Sequence, residues 1–85
     1  ALALEVSAKS IRVNTLVCGI VKSPMFDATK ETFSSKEVEQ VEAKYPLGIG
    51  VPSDVAKPCA FLLSNYAEWV TGAQLLLDGG LMLNV

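Results

Sequence analysis

The chain has 85 residues, of which 51% are hydrophobic and 19% are charged, and its net charge is -2. A chain of this length buries only about two thirds of its unfolded surface, so it holds more apolar sequence than a small free-standing domain needs. With 7 basic and 9 acidic residues and no basic cluster, the sequence lacks the charge pattern that binds phosphate backbones, so no nucleic-acid partner is expected. We interpret it as part of a larger apolar core or of a subunit assembly.

The sequence contains two cysteines, Cys18 and Cys59, and no histidine. This pattern does not fit a zinc site or a disulfide-rich secreted scaffold, so we expect a reducing cytoplasmic setting and no metal. The longest apolar runs are far shorter than the roughly 18 residues that a membrane helix needs, so no membrane span is expected. Residues 1–9 lack the basic start of a signal peptide and instead predict the end of a helix that begins upstream.

The first strand is predicted over residues 11–17, where β-branched side chains alternate before Gly19. Such a strand runs into a loop at its carboxyl end, the edge of an open α/β sheet at which ligands bind. The sequence then becomes polar as far as Lys44, and Ser34 with the acidic residues after it predicts the start of a surface helix.

The second half of the chain predicts one helix and one strand. A largely apolar helix is expected over residues 54–64, where Pro58 should cause a bend or a later start. A strand buried on both faces is expected over 74–78 and ends in the turn Asp78-Gly79-Gly80. With the first strand these elements form a βαβ unit, in which a crossover helix makes the two strands parallel.

The segment Ile-Arg-Val-Asn-Thr-Leu-Val-Cys-Gly-Ile-Val-Lys-Ser at 11–23 resembles the sixth strand and following loop of the short-chain dehydrogenase/reductase family. Shorter pieces continue the resemblance in the same order and spacing: Ala-Leu-Ala-Leu-Glu at 1–5, Pro-Leu-Gly at 46–48, Pro-Ser-Asp-Val-Ala at 52–56, Phe-Leu-Leu-Ser at 61–64, Val-Thr-Gly at 70–72 and Asp-Gly-Gly at 78–80. The chain is most similar to 3-oxoacyl-carrier-protein reductases and to sugar or polyol dehydrogenases. The implied fold is α/β, with residues 1–85 as the C-terminal segment of a single Rossmann-like doubly wound parallel sheet.

The resemblance implies an oxidoreductase that uses NAD or NADP to transfer hydride to or from a small carbonyl or alcohol substrate. The family's Tyr-x-x-x-Lys does not occur here, because neither Tyr45 nor Tyr66 has a Lys four positions later. We therefore assign no catalytic residue, expect the catalytic half upstream of Ala1, and predict that the 85 residues alone are inactive. An alternative is a truncated chain that serves as a non-catalytic interaction module.

The resemblance assigns cofactor binding to four residues of the loop after the first strand: Cys18, Gly19, Val21 and Ser23. Backbone groups at Val21 and the hydroxyl of Ser23 are expected to meet the nicotinamide end, and Gly19 to let the chain approach its ring. Without the resemblance, the same residues describe an ordinary turn with a surface serine. Cys18 replaces the family's proline, and we interpret it as a packing residue rather than a reactive thiol.

Residues 24–45 correspond to the family's variable substrate lid, in which Met25 and Phe26 are expected to contact substrate or to anchor the loop. The family's Arg after Pro-Leu-Gly is absent. Asp54 and Asp78 are interpreted as a helix cap and a turn residue. Family members assemble through the surfaces that correspond to helix 54–64 and strand 74–78, so we expect a homodimer or homotetramer.

Overall fold

The computed structural model describes residues 1–84, which form four α-helices and two β-strands. The elements are α1 (Leu2–Ser7), β1 (Thr15–Cys18), α2 (Pro24–Lys30), α3 (Ser35–Glu42), α4 (Pro52–Leu63) and β2 (Gln74–Leu77). Short 3-10 turns follow α4 at Asn65–Ala67 and β2 at Leu81–Asn84.

The two strands lie side by side and parallel, with Thr15 opposite Gln74 and Cys18 opposite Leu77. A parallel pair needs a crossover connection, which here contains α2, α3 and α4. The predicted α/β class and the parallel arrangement of the two strands are therefore confirmed.

β1 begins at Thr15, later than predicted, because residues 11–14 are held mainly by side-chain hydrogen bonds. A single backbone bond, from the Gly72 N–H to the Val13 carbonyl at 2.8 Å, joins them to the segment before β2. The backbone N–H of Val13 donates to the Thr71 hydroxyl at 3.1 Å. The Asn14 amide donates to the Val70 carbonyl at 3.1 Å and accepts from the Ala73 N–H at 3.0 Å. The predicted strand over 11–17 is thus wrong in its first four residues, which join residues 70–73 irregularly.

β2 ends at Leu77, one residue before the predicted end. The Asp78 carboxylate accepts from the N–H groups of Gly80 and Met82, each at 3.0 Å, and so turns the chain out of the strand. The predicted turn role of Asp78 is confirmed.

Helix α4 begins at Pro52, earlier than predicted, and continues through Pro58. Pro52 occupies the first turn, where no backbone N–H is needed, and the Asp54 carboxylate accepts from the Val51 N–H at 2.8 Å. The expectation of a later start is wrong, whereas the capping role of Asp54 is confirmed.

Both helices of the predicted lid begin at a serine. Ser34 and Glu37 form a capping box at α3, as expected of this sequence: the Ser34 hydroxyl accepts from the Glu37 N–H at 3.1 Å, and Glu37 accepts from the Ser34 N–H at 3.3 Å. Helix α2 was not predicted, although Ser23-Pro24 places a cap residue before a proline in the first turn.

Little of the described chain is buried: among residues 1–83, whose exposure is defined, only Tyr45 and Ala67 are. The accessible surface is 6553 Å², against about 4,900 Å² for a folded monomer of this mass. The radius of gyration is 16.2 Å, where a domain of this length has about 12 Å. Most apolar side chains are therefore not covered within these residues, which agrees with the interpretation drawn from composition. Among the described helices, none is long and apolar enough to cross a membrane.

Candidate functional site

The candidate site lies at the carboxyl ends of the two parallel strands, the edge that the sequence indicated. A cavity of about 400 Å³ opens there. Its lining comes from three parts of the chain: residues 20–21 after β1, residues 76–80 at the end of β2 and after it, and the segment from Tyr45 to the start of α4. This is the edge of an open α/β sheet at which ligands bind.

Val21 lies beside the cavity and forms a single parallel bridge with Gly50. In this bridge the Gly50 N–H donates to the Ile20 carbonyl at 3.1 Å, and the Lys22 N–H donates to the Gly50 carbonyl at 2.8 Å. Both bonds use the neighbours of Val21, so its own N–H and C=O point away from Gly50. Within residues 1–84 these two groups have no hydrogen-bond partner, which leaves one donor and one acceptor for a ligand.

Tyr45 anchors the same loop through its side chain. The sequence analysis did not identify it as a residue of the site. Its side chain is 7% exposed, and its hydroxyl accepts from the Ile20 N–H at 3.1 Å. A Cβ atom placed on Gly19 would lie 2.9 Å from the Tyr45 ring and 3.0 Å from the Asp78 Cα. The glycine is therefore required for packing against Tyr45 and Asp78. The expected approach of Gly19 to a nicotinamide ring stays a prediction.

The segment after Tyr45 is attached to the turn that follows β2. The Leu47 N–H donates to the Gly79 carbonyl at 2.9 Å. Gly79 has a φ of 59°, and a Cβ there would lie 3.0 Å from the Gly48 carbonyl oxygen, so only glycine fits without strain. The Pro-Leu-Gly segment thus closes one wall of the cavity through the backbone bond of Leu47 and through the Pro46 ring, which lies against Gly80, and neither contact involves the position of the family's Arg.

Ser23 lies two residues beyond Val21 and caps α2. Its hydroxyl accepts from the Phe26 N–H at 3.1 Å, which uses one lone pair and leaves the O–H able to donate. Cys18 ends β1 and is exposed. The expectation that Cys18 packs is not met within residues 1–84, where this residue is exposed. Its assignment to cofactor binding stays a prediction.

The predicted lid forms a second cavity of about 670 Å³ between α2 and α3. Phe26 lines it, whereas Met25 does not and is 81% exposed. Ile20 lines both this cavity and the one at the sheet edge. The lid therefore adjoins the loop that carries Val21. Among the described residues, no group of His, Cys, Asp or Glu is arranged to hold a metal ion.

Comparison with known proteins places the chain in a family. A family model described as enoyl-(acyl carrier protein) reductase matches residues 1–82. The chain is 41% identical to 3-oxoacyl-(acyl-carrier-protein) reductase FabG of Rickettsia typhi, over 96% of this chain and 33% of that protein. It is 40% identical to L-rhamnose 1-dehydrogenase (NAD(P)(+)) of Azotobacter vinelandii, over 98% of this chain and 32% of that protein.

A solved structure agrees with these matches. The NADPH-bound short-chain oxidoreductase of Pseudomonas aeruginosa superposes with a TM-score of 0.80 at 29% identity, covering 94% of this chain and 32% of that one. The chain belongs to the short-chain dehydrogenase/reductase family. The similarity to carrier-protein reductases and sugar dehydrogenases is confirmed. The chain spans about a third of the length of the curated relatives it matches.

Proposed function

We propose that this chain is the nicotinamide-side part of an NAD(P)-dependent oxidoreductase that acts on a carbonyl or alcohol substrate. Membership of the family supports the reaction class. The names of two relatives support the cofactor, since one is an NAD(P)(+) dehydrogenase and another was solved with NADPH. The choice between NAD and NADP stays open.

The observation that carries the proposal is the pair of backbone groups on Val21. A carboxamide has an N–H donor and a carbonyl acceptor, so it complements one peptide C=O and one peptide N–H. Val21 offers that pair beside the sheet-edge cavity, while its neighbours are held by the bridge to Gly50. The residues present therefore fit a nicotinamide carboxamide, and the Ser23 hydroxyl lies close enough along the chain to add a donor.

The other residues of the site hold this loop in place. Tyr45 fixes the Ile20 peptide through its hydroxyl, and Gly50 fixes the peptides on either side of Val21. Positions held in advance cost less to order when a ligand binds. Cys18 and Gly19 belong to the same proposed binding loop. Gly19 allows the loop to pack closely against Tyr45 and Asp78, and Cys18 is the last residue of β1, from which the loop starts.

The reacting groups are proposed to come from outside these residues, since no Tyr-x-x-x-Lys occurs within them. A bound nicotinamide exchanges a hydride and its electron pair with the carbonyl carbon, while the carbonyl oxygen takes or loses one proton. The loop after β1 binds and orients the nicotinamide, and residues 24–45 cover the substrate. Residues 1–85 alone are accordingly proposed to be inactive.

The test is Val21→Pro in the complete enzyme that contains this segment. Proline removes the N–H of residue 21, which no group within residues 1–84 uses, so the free energy of unfolding should change little. NAD(P)H binding should weaken by about 1 kcal/mol, the net contribution of one hydrogen bond, which raises the dissociation constant about fivefold.

Lys22→Pro is the matched control, because it removes the neighbouring N–H that donates to the Gly50 carbonyl at 2.8 Å. It should lower the free energy of unfolding. If Val21→Pro bound NAD(P)H and turned over as the wild type does, the proposed role of this loop would be wrong.

We propose that α4 and β2 form the contact between subunits of a dimer or tetramer. Phe61 and Leu63 of α4 are 48% and 79% exposed, and Leu76 of β2 is 50% exposed. Apolar side chains exposed on an adjoining helix and strand are typical of a surface that another chain covers.

We also propose a reducing, cytoplasmic setting. It is supported by the two cysteines, both of which are free.

The same exposed surface favours the alternative of a non-catalytic interaction module, and the isolated 85 residues separate the two. We expect the isolated chain to self-associate or to be partly unfolded, and not to bind NAD(P)H. Sedimentation during an NAD(P)H titration measures both properties. A monodisperse monomer that unfolds cooperatively and binds the cofactor would contradict the proposal that these residues are part of a larger domain.

A further inference from the structure

We infer that Tyr45 is a positioning residue for the cofactor, and that its hydroxyl supplies the restraint on the loop after β1 that a proline at position 18 would otherwise give. The inference rests on the proposed function and deepens it, because it links two positions that lie far apart in the chain. Position 18 holds Cys where the family has Pro, and position 45 holds a tyrosine at the end of the predicted lid.

Cys18 leaves the entry to the loop without a covalent restraint. It is the last residue of β1, and a proline there would fix φ at about -65° and favour an extended Val17 before it. The N–H that Cys18 has in place of a proline ring is not held by β2. The Gly19 N–H donates to the Leu77 carbonyl at 2.8 Å, so the alternation of a parallel strand turns the N–H of Cys18 away.

Tyr45 supplies a restraint two residues further along the same loop. Its hydroxyl accepts from the Ile20 N–H at 3.1 Å, directly before Val21. The acceptor is itself held firmly, since the Tyr45 side chain is 7% exposed and its ring lies 2.9 Å from the place of a Cβ on Gly19. The Gly48 N–H also donates to the Tyr45 carbonyl at 2.9 Å. A fixed acceptor of this kind fixes the peptide that donates to it.

The two restraints would act on either side of Gly19, which as a glycine has the greatest backbone freedom in the loop. A proline at 18 limits the conformations before Gly19, and the hydroxyl of Tyr45 limits those after it. Both reduce the number of conformations that the loop must lose when a ligand binds to the peptide groups of Val21. Removing one restraint should therefore matter most when the other is absent.

The test is a double-mutant cycle in the complete enzyme that contains this segment, with the dissociation constant for NAD(P)H as the measured quantity. With Cys at 18, Tyr45→Phe should raise this constant about fivefold to tenfold, because the ligand must then order the loop. In the Cys18→Pro background, the same substitution should raise it about twofold or less. Tyr66→Phe, at a side chain that is 91% exposed, is the control and should leave the constant unchanged in both backgrounds.

The free energy of unfolding separates positioning from a purely structural role. Tyr45→Phe removes the acceptor of the Ile20 N–H in both backgrounds, and a proline at 18 offers that N–H no new partner. Stability should therefore fall by the same amount with Cys or with Pro at 18, whereas cofactor affinity should recover only with Pro. A purely structural role would make affinity follow stability.

Amide hydrogen exchange tests the same inference in the enzyme without any substitution, and it decides the question alone if Tyr45→Phe does not fold. The Ile20 N–H should be protected before NAD(P)H is added, because its acceptor belongs to the free protein. Exchange that is fast in the free enzyme and slows only when the cofactor binds would overturn the inference.

Two results of the cycle would overturn the inference and leave the proposed function intact. They are equal effects of Tyr45→Phe on cofactor affinity in the two backgrounds, and no effect in either. If Val21→Pro also left NAD(P)H binding unchanged, the proposed function would be wrong as well.

Discussion

The predicted lid, residues 24–45, and the loop at its base are held by different kinds of hydrogen bonds. The base is the loop around Val21 together with Tyr45 and Gly50, and it is closed by hydrogen bonds from Ile20 and Lys22 that join residues 25 to 30 positions apart in the chain. In residues 24–43 every hydrogen bond reaches at most four residues along the chain. The predicted lid thus consists of two locally bonded helices on a base closed by long-range contacts.

This difference means that the base is suited to holding the loop around Val21 in position, whereas α2 and α3 are suited to moving. A segment with local hydrogen bonds and exposed side chains opens at low free energy, whereas one fixed by long-range contacts opens only with its surroundings. α2 and α3 can therefore shift without breaking the bridge between Val21 and Gly50. Tyr45, at the end of the predicted lid, belongs to the base by its contacts.

The largest effect is expected from Gly19→Ala in the base. The new Cβ would meet the Tyr45 ring at 2.9 Å and the Asp78 Cα at 3.0 Å, and the latter is a backbone atom that cannot move aside. We expect the free energy of unfolding of the complete enzyme to fall by about 2 to 3 kcal/mol in denaturant titrations. Gly50→Ala is the control, because its nearest contacts are ordinary ones at 3.5 and 3.6 Å. Equal losses in the two variants would show that packing at Gly19 is not special.

Tyr45→Phe should have the next largest effect. It removes the acceptor of the Ile20 N–H at a buried position, so we expect a loss of about 1 to 2 kcal/mol in the free energy of unfolding and weaker NAD(P)H binding. Tyr66→Phe, at a side chain that is 91% exposed, should change stability by less than about 0.5 kcal/mol. If the two variants were alike, the hydroxyl of Tyr45 would not anchor the loop.

Ser23→Ala and Ser34→Ala compare the two helix caps of the lid. Each serine accepts one N–H at 3.1 Å, so each variant should lose about 1 kcal/mol of stability. Only Ser23→Ala should also weaken NAD(P)H binding, by about 0.5 to 1.5 kcal/mol, because only Ser23 lies beside Val21. Equal cofactor affinity in both variants, measured by fluorescence titration, would limit Ser23 to capping.

The smallest effect is expected from Cys18→Pro. The N–H groups of Thr15 and Gly19 donate to the carbonyls of Ala73 and Leu77, so the alternation of a parallel strand turns the N–H of Cys18 away from β2. Removing it should change stability by less than about 0.5 kcal/mol and preserve turnover. Loss of activity without unfolding, in this variant or after alkylation of Cys18, would instead identify the thiol as functional.

The sequence predicted those features that local patterns encode. The capping serine of α3, the carboxylates of Asp54 and Asp78, and the apolar run of β2 each depend on residues within four positions. The order of elements and the parallel pair followed from the same patterns together with the requirement for a crossover. The family was found because its motifs occur in the right order.

Helix α2 and the start of α4 at Pro52 were missed although their signals are local. The other features that were missed depend on contacts between distant residues. The hydroxyl of Tyr45 meets a peptide 25 residues earlier in the chain. The Arg12 guanidinium donates to the carbonyls of Val70 at 3.3 Å and Ser64 at 3.5 Å. No periodic pattern specifies such a partner, although Tyr45 is the only aromatic residue between Phe33 and Phe61. The position of this single aromatic residue next to the Pro-Leu-Gly turn was the only feature of the sequence that could have indicated its role in anchoring the loop after β1.

The pairing of β1 with β2 has a consequence for how the protein is made. The register begins with Thr15 opposite Gln74, 59 residues later in the chain. At typical rates of synthesis the ribosome needs about 3 to 12 s to add that many residues, far longer than a helix with a capping box needs to form. Throughout that interval the apolar β1 has no partner in β2. Nascent chains stalled between residues 18 and 74 therefore present the β2-facing edge of β1 unpaired, the kind of edge that chaperones must protect from aggregation.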